Sequence, residues 1–417
     1  MSAAADAALA QLVGSDPRAA ASPPAPVAFH YTQTDSFVAL LQQLGASLLV
    51  STYQANKLLA VRASGNGIST LVRTFDKPMG LAVDARRLAI GTHKEVWFLR
   101  NAPDIAPRIE PLGQHDACYV PRSSHVTGDI GIHEIAWSAD ELWMVSTRFS
   151  CLCTHDPDYS FVPRWRPPFI TAVAAEDRCH LNGLAMIDGQ PGYVTALGTT
   201  DTANGWRADK PHGGCILDVA SGEFVTRGLS MPHSPRWHDE QLWVLESGTG
   251  GVVRIDRATG RRETIAHLPG FTRGWALVGP YAFVGLSKIR KTSAMDGVPI
   301  AERRDELKCG IAVLDLRSGQ TIAFLEFQTA VEEIFDIQLL PGLRFPEVIG
   351  FQQETLHHTF IVPREQAQSG RSIHSTTTQH SENRDAKTED PALAIVDRAL
   401  GNLARLRSNP GDRSATS

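Results

Sequence analysis

Residues 133–156 read HEIAWSADELWMVSTRFSCLCTHD, and this stretch decides the fold because it recurs along the chain. It contains an apolar run, a turn, a second alternating run that ends in Ser or Thr, a short turn and a third apolar run. Residues 233–256 (HSPRWHDEQLWVLESGTGGVVRID) and 80–100 (GLAVDARRLAIGTHKEVWFLR) align with it almost without gaps. Short runs rich in Val, Ile, Leu and Trp between turn residues are typical of strands and hairpins.

More divergent copies begin at Ser36, His180, Thr272 and Glu332, which divides residues 36–363 into seven units. Repeats of about 40–50 residues, each a four-stranded sheet, build β-propellers. The sequence therefore predicts an all-β protein, a β-propeller with seven blades, and six blades as the alternative.

Two details of this repeat stay open in the sequence. The first run of the Ser36 unit is either a strand or a short helix. The stretch VAFHYT, residues 27–32, is a candidate outer strand of the last blade that would close the ring.

The segments outside the predicted propeller, 27–363, have a different composition. Residues 1–26 are rich in Ala and Pro and residues 364–390 are polar, so both are predicted to be disordered. Residues 391–408 place apolar residues at helical spacing, which predicts a short amphipathic helix before a disordered end at 409–417. This helix either docks on the side of the propeller or binds a protein partner.

The composition argues against several classes of function and location. A formal net charge of −5 argues against nucleic acid as a partner. The chain contains no apolar run of the roughly 18 residues that a membrane span needs, and its Ala-rich start does not resemble a signal peptide, so a cytoplasmic location is expected. Six irregularly spaced cysteines predict reduced, buried thiols.

Three histidines begin repeat units: His133, His180 and His233. His133 and His233 each lie 14 positions before the Ser or Thr that ends the second run, and His180 is assigned the same position after extra residues in its unit are allowed for. Because the inner strands of a propeller begin around one mouth of the channel, these imidazoles are expected to meet there. Three neutral imidazoles suit zinc, iron, manganese or copper better than calcium. The alternative is that each histidine caps a strand by bonding to the neighbouring blade.

Other polar residues are expected around the same mouth. Glu333 is the candidate fourth member of the histidine ring, as a ligand or a base, and Glu134 and Arg148 are further catalytic candidates. The locally cationic mouth suits a small anionic substrate. Six residues are predicted to bind it: Tyr53, Lys77, Asn182, Arg236, Arg273 and Lys288.

Two insertions, residues 198–214 and 288–308, exceed the usual hairpin connection of about 2–5 residues. Insertions of this length at a mouth favour a functional lid. Trp206 and Arg207 are its candidate contacts with a ligand.

Five segments covering roughly residues 30–360 resemble an uncharacterised bacterial family of conserved hypothetical β-propeller proteins. They are SLLVSTYQANKLLAVR (47–62), FDKPMGLAVD (75–84), IHEIAW (132–137), HLNGLA (180–185) and MPHSPRW (231–237). More remotely, HLNGLA with its Asn182 is similar to the PNGLA segment of gluconolactonase and senescence-marker propellers. That similarity implies a divalent cation held with the help of Asn182, and lactonase-type hydrolysis.

Two functions are therefore expected of this sequence. The first is a metal-dependent enzyme that acts on a small polar or anionic substrate at the propeller mouth by hydrolysis, isomerisation or oxidation. The alternative is a non-catalytic propeller that serves as a scaffold or binds a ligand. Propellers host both classes, so the fold alone does not choose between them.

Overall fold

A computed structural model describes residues 29–289, 296–350, 356 and 358–362 of the chain. The helices in these residues are α1 (Asp35–Leu44) and three short 3-10 helices, Ala106–Arg108, Gly205–Asp209 and Pro299–Glu306. The strands are β1 (Tyr31–Gln33), β2 (Ala46–Thr52), β3 (Lys57–Ser64), β4 (Gly67–Thr74), β5 (Leu81–Val83), β6 (Arg87–Gly91), β7 (Glu95–Asn101), β8 (Ala117–Val126), β9 (Ile132–Ser138), β10 (Glu141–Ser146), β11 (Cys151–Thr154), β12 (Val162–Trp165), β13 (Leu181–Ile187), β14 (Gln190–Ala196), β15 (Gly214–Asp218), β16 (Phe224–Leu229), β17 (Pro232–His238), β18 (Gln241–Glu246), β19 (Gly251–Ile255), β20 (Arg262–His267), β21 (Phe271–Val278), β22 (Tyr281–Ser287), β23 (Gly310–Asp315), β24 (Gln320–Phe327), β25 (Asp336–Pro341) and β26 (Pro346–Val348).

These strands form six sheets, which we number as blades 1–6. From the centre outward, blade 1 is β25, β2, β3 and β4, and blades 2 to 6 are β5–β8, β9–β12, β13–β16, β17–β20 and β21–β24. Each inner strand contacts the next around a closed circle, in the order β25, β5, β9, β13, β17, β21 and back to β25. The predicted β-propeller is confirmed, and it has the six blades given as the alternative.

The predicted count of seven blades is wrong because the first and last repeat units build one blade. Strand β25 pairs antiparallel with β2 along its whole length, with Leu339 opposite Leu48. The first apolar run of the Ser36 unit is not a strand and forms helix α1. The chain therefore closes the ring by giving its last inner strand to its first blade.

Helix α1 covers the junction between blades 6 and 1. It contacts β24 and β3, and it buries Phe37 and Leu41 completely. The helix ends at Leu44 and is capped by Gly45, whose φ of +60° is a left-handed conformation that glycine adopts without strain. Just before the helix, β1 pairs with β24 as a fifth, outermost strand of blade 6, where residues 27–32 were expected to add an outer strand.

A second extension follows the closing strand. Strand β26 runs parallel to β8 at the outer edge of blade 2, with Glu347 opposite Cys118. Buried Glu347 forms an ion pair with Arg73, and the Arg62 guanidinium lies 4.0 Å from the ring centre of Phe345. This segment, residues 344–349, therefore ties blade 1 to blade 2 and is called the strap below.

Apolar side chains fill the spaces between blades. Between blades 1 and 2, for example, Leu49 and Leu58 pack with Leu88 and Ile90, all of them almost completely buried. The six cysteines are free and buried. No helix in the described part of the chain is long and apolar enough to cross a membrane. The predicted segments 1–26, 364–390, 391–408 and 409–417 lie outside the described residues.

Candidate functional site

Strand pairing determines which inner-strand residues are equivalent between blades. The last pairs of three inner hairpins are Ile132 with Ser146, Pro232 with Glu246, and Leu181 with Ala196. The next residues are His133, His233 and Asn182, so these three share one position. The equivalence predicted for His180 is wrong, because His180 lies two residues earlier, before β13 begins.

Hydroxyl groups extend this equivalence to the other blades. In four blades a Ser or Thr near the end of the second strand donates a hydrogen bond to the next blade. The bonds are Thr147 to Leu181 O (2.6 Å), Ser247 to Thr272 O (2.5 Å), Ser287 to Ile334 O (3.2 Å) and Ser51 to Met79 O (2.5 Å). In each case the acceptor immediately precedes the shared position. We call the six residues at this position the inner ring, which consists in blade order of Phe335, Gly80, His133, Asn182, His233 and Arg273.

The inner ring corrects a second expectation. Phe335, and not Glu333, represents blade 1 in the ring. Glu333 lies two residues earlier and faces Arg273, with 3.3 Å between the Arg273 Nη1 and Glu333 Oε1 atoms. At Gly80, a Cβ atom would lie 2.8 Å from the carbonyl oxygen of His133, so only glycine allows blade 2 to approach blade 3 this closely.

Hydrogen bonds fix the tautomer of both ring histidines. The Nδ1 atom of His133 lies 2.7 Å from the Thr147 hydroxyl, which donates its own hydrogen to blade 4, so Nδ1 carries the proton. The Nδ1 atom of His233 lies 3.0 Å from both the Ser247 hydroxyl and the Met231 carbonyl oxygen, and is again the donor. The 14-residue spacing seen in the sequence therefore separates the two partners of a side-chain hydrogen bond, His133 with Thr147 and His233 with Ser247.

His180 is held by a carboxylate instead. Its Nδ1 atom donates to Asp177 at 2.9 Å, and the indole Nε1 of Trp206 donates to the same carboxylate at 3.0 Å. The His180 ring lies between Trp206 and His133, with ring centres 4.3 and 4.9 Å away. His180 has a left-handed φ of +51° immediately before β13 begins.

The three imidazoles thus share an arrangement that exposes one nitrogen. Among the described residues no hydrogen bond reaches Nε2 of His133, His180 or His233. With metal–nitrogen bonds of about 2.0–2.1 Å, two imidazoles on one ion have ring centres roughly 4.5–5.2 Å apart. The His133–His180 separation of 4.9 Å fits this range, and the His133–His233 separation of 6.4 Å is about 1 Å too long. Accordingly, as they are placed, no three His, Cys, Asp or Glu side chains in the described ranges stand close enough to hold a metal ion.

Burial and charge keep the ring histidines neutral. Burial and the nearby Arg273 lower the pKa of His133 and of His233 well below the ordinary value. Burial also lowers the pKa of Arg273 to about 10, so it remains cationic near pH 7. Its guanidinium stacks 3.5 Å from the ring centre of Phe335. The ring therefore combines uncharged imidazoles with one buried cation.

A small cavity lies inside the ring. Five ring residues, all except Gly80, line it together with Glu134, Ser234 and Asp336, and its volume is about 10 Å³. A cavity of that size holds about one water molecule. An ion or a single water therefore fits within the ring, and a larger ligand has to lie above it at the mouth.

A buried ion network fills the channel below the ring. Arg236 of blade 5 contacts Glu134 of blade 3, and its Nη2 atom lies 3.6 Å from Oδ1 of Asp336 in blade 1. Glu134 also accepts the Leu184 N–H at 2.9 Å, and Asp336 accepts the Leu81 N–H at 2.9 Å. These groups tie alternate blades together across the axis.

The pKa of Glu134 makes this network sensitive to pH. Burial raises that pKa from 4.5 to about 7, although Arg236 opposes the shift. Between pH 4.5 and 7 Glu134 keeps a proton in the folded chain that it has released in the unfolded chain. This proton binding stabilises the fold at low pH, and the stabilisation is lost as pH rises through about 7. In Glu134→Gln the contribution is absent.

We therefore expect the unfolding free energy of the wild type, relative to Glu134→Gln, to fall by about 2–3 kcal/mol between pH 5 and pH 8. Urea unfolding of both proteins across this range measures the difference. Parallel stability curves for the two proteins would contradict the assignment.

The remaining predicted residues occupy different places. Tyr53 lies at the mouth with its ring centre 5.9 Å from that of Phe335, and Lys77 Nζ lies 5.5 Å from the Tyr53 ring. Lys288 is exposed at the end of β22. Arg148 is exposed and paired with Asp129.

Asn182 is in the inner ring, but its side-chain amide is hydrogen-bonded to other residues of the protein. It donates to Pro232 O at 2.9 Å and accepts from the Thr195 hydroxyl at 2.6 Å. It therefore joins blade 4 to blade 5.

The two insertions meet above blades 4 to 6. Trp206 of the first packs with Val298 and Ile300 of the second in one buried apolar cluster. Lys210 also donates to the carbonyl oxygen of Asp296 at 2.5 Å. Trp206 packs against the His180 ring in this arrangement.

Sequence reasoning missed Phe335, Asp336 and Asp177. A signal for the first two existed, because Phe335 and Asp336 followed by Ile match His133 and Glu134 followed by Ile. The repeat unit predicted from Glu332 begins three residues before Phe335, so it displaces blade 1 by three residues. Asp177 carries no pattern of its own, since a carboxylate three residues before a histidine is common in loops.

A sequence family described as "Domain of unknown function (DUF4915)" matches residues 35–349. A search of curated proteins found no match, so no named relative supports the similarity to gluconolactonase. Among solved structures, a chain of "Crystal structure of Nidogen/Laminin Complex" is similar at 11% sequence identity, over 72% of this chain and 99% of that chain, with a TM-score of 0.44. The propeller assignment rests on the sheet topology and not on this likeness.

The family match extends from the start of α1 through the end of the strap, and it includes the whole inner ring. It covers far more than half of the chain. The protein therefore belongs to the DUF4915 family, a domain of unknown function.

Proposed function

We propose that this protein is a metal-dependent enzyme whose divalent transition-metal ion is bound by the Nε2 atoms of His133, His180 and His233. The observation that carries the proposal is the shared tautomer: each Nδ1–H is held by the protein, and no hydrogen bond from the described part of the chain reaches any of the three Nε2 atoms. Metal-binding histidines almost always donate their other ring N–H in this way. The lowered pKa values of His133 and His233 support it further, because only a neutral imidazole binds a metal.

The distances between the three imidazoles determine how far each would have to move to bind one metal ion. His133 and His180 already have a suitable separation, and His233 would have to approach by about 1 Å, given metal–nitrogen bonds of about 2.1 Å. Catalytic contacts are often long before a ligand binds and shorten afterwards. A metal would therefore draw blade 5 slightly toward blade 3.

The charges favour an anionic substrate. A metal ion next to Arg273 places two cationic centres close together, and an anion lying between them and Lys77 would offset their repulsion. Because the cavity holds about one water molecule, the substrate would lie above it. His133, His180 and His233 would hold the ion, which would supply Lewis acidity and the means to activate water near pH 7, and hydrolysis is therefore the reaction we propose. Glu333, beside Arg273, is the carboxylate that we assign to proton transfer.

Metal analysis of the full chain tests this proposal. After equilibration with Zn²⁺, Mn²⁺, Fe²⁺ or Co²⁺, we expect one ion per chain. His133→Ala and His233→Ala should each weaken binding by more than about 100-fold, and Thr147→Val by about 10–100-fold, the range for loss of a group that orients a ligand. The matched control is His212→Ala, which removes an exposed histidine and should bind as the wild type does.

Two results would overturn the proposal. One is that none of the four metals binds stoichiometrically. The other is that His133→Ala and His233→Ala bind metal as tightly as His212→Ala.

A second candidate function is metal-free binding of an anionic ligand without turnover. The contacts of Glu134 and Asp336 favour this candidate. Both carboxylates accept backbone N–H groups and contact Arg236, so they are poorly placed to transfer protons. In that case succinate, as a probe, should raise the thermal midpoint of the metal-free chain, and Arg273→Gln should remove the effect. No change with succinate would argue against this candidate.

A further inference from the structure

A groove between blades 2 and 3 lies at the end of the propeller opposite the mouth. It is bounded by the end of β7, by β8, by the turn between β9 and β10, and by the residues after β11. Its volume is about 570 Å³, within the range of about 300–1,000 Å³ typical of small-molecule sites. It shares no residue with the inner ring. We call it the lower groove and define it by Phe98, Arg100, Arg122, Trp137 and His155.

Aromatic rings form one wall of the lower groove. The ring centre of Phe98 lies 5.3 Å from that of His155 and 6.2 Å from that of Trp137. Arg87 stacks on Trp137 at 3.8 Å and pairs with Asp140 at 3.2 Å, which neutralises the acidic side chain in the groove. The wall therefore presents flat π-surfaces without net negative charge.

Two arginines stand at the rim. Arg100 and Arg122 are exposed, and within the described residues neither forms an ion pair or a side-chain hydrogen bond. Phe98 and Arg100 lie two residues apart on β7, so they point to the same face of the blade. Pairing between β7 and β8 shifts register at Leu99, which lies opposite Pro121 while Phe98 lies opposite Ser123, so Arg122 is the extra residue of a β-bulge. Bulges commonly re-aim a side chain beside a binding site.

We propose that the lower groove binds a small aromatic molecule that carries a phosphate or carboxylate group. The anion would bind Arg100 and Arg122, whose guanidinium groups are suited to bidentate contacts with such oxygens. The ring of the ligand would stack against Phe98 and His155. This site is independent of the proposed metal site, because the two share no lining residue.

Calorimetric titration of the full chain with phenyl phosphate tests the proposal. We expect binding that weakens at least about tenfold in Arg100→Ala and in Arg122→Ala, as expected for loss of a charge-assisted hydrogen bond. Phe98→Leu should also weaken phenyl phosphate, whereas inorganic phosphate should bind more weakly and be insensitive to Phe98→Leu. The matched control is Arg257→Ala, since Arg257 is an exposed arginine 5.1 Å from the Trp237 ring in blade 5 and should leave affinity unchanged.

Arg273→Gln separates this site from the mouth and should leave phenyl phosphate binding intact. Three results would overturn the proposal: no binding of phenyl phosphate, affinity unchanged in both Arg100→Ala and Arg122→Ala, or affinity lost in Arg273→Gln. Equal affinity for phenyl phosphate and inorganic phosphate would overturn the assigned aromatic character of the ligand.

Discussion

A chain that ends after Gln328 is expected not to fold, although it keeps strands β1–β24, which include every strand of blades 2 to 6 except the added β26 and three of the four strands of blade 1. The deletion removes β25, the inner strand of blade 1, and leaves the ring open between blades 6 and 2. It also removes seven buried apolar side chains: Val331, Ile334, Phe335, Ile337, Leu340, Val348 and Ile349. At about 1.5–3 kcal/mol each, their burial is comparable to the whole stability of a typical domain, about 5–15 kcal/mol.

Two longer chains serve as controls for this truncation. A chain that ends after Leu343 keeps β25 and loses the strap, so it should fold with a lower thermal midpoint because Arg73 loses its buried partner Glu347. A chain that ends after Val362 keeps both and should melt as the full chain does. Circular dichroism and size-exclusion chromatography measure all three. A cooperative thermal transition in the chain ending after Gln328 would show that the ring does not depend on its closing strand.

Arg236→Met is expected to destabilise the protein by about 3–5 kcal/mol at pH 8, the usual cost of leaving buried charges without a partner. The substitution preserves most of the side-chain volume and removes the cation between Glu134 and Asp336. Both carboxylates would remain in the closed channel, where neither can be solvated well. Urea unfolding measures the loss of free energy.

Two further variants test the cause of the stability lost in Arg236→Met. If uncompensated charge is the cause, adding Glu134→Gln and Asp336→Asn to Arg236→Met should recover most of the stability. The control is Arg164→Met, which removes an exposed ion pair with Glu141 at 2.7 Å and should cost less than about 1 kcal/mol. A loss in Arg236→Met no greater than in Arg164→Met would mean that the network does not hold the blades together.

These two effects concern the same structural problem, which is how six separate sheets remain one body. The closing strand and the strap join neighbouring blades through backbone pairing and apolar burial. The network of Arg236 joins blades 1, 3 and 5 directly across the axis, so it rigidifies the floor beneath the inner ring. Changes in the floor are therefore expected to reach the histidines above it.

The sequence by itself predicted the repeat, the strands and hairpins, and the equivalence of His133 with His233. These features depend on local patterns: alternation along a strand, turn residues between strands, and a 14-residue spacing that is contained within one hairpin. The short helix, one of the two alternatives for the first run of the Ser36 unit, is also a local feature. Such features can be deduced because the residues that determine them lie close together in the chain.

Only the tertiary structure decided the number of blades and the composition of the ring. Strand β25 pairs with a strand almost 290 residues earlier, and Phe335, Asn182 and Arg273 became ring members through bonds between different blades. His180 lies two residues before the ring residue Asn182 but is placed at the same site. Its Nδ1 atom donates to Asp177, which also accepts the indole N–H of Trp206. No local pattern encodes these contacts, because a single blade leaves its faces uncovered and becomes stable only when distant segments close the circle.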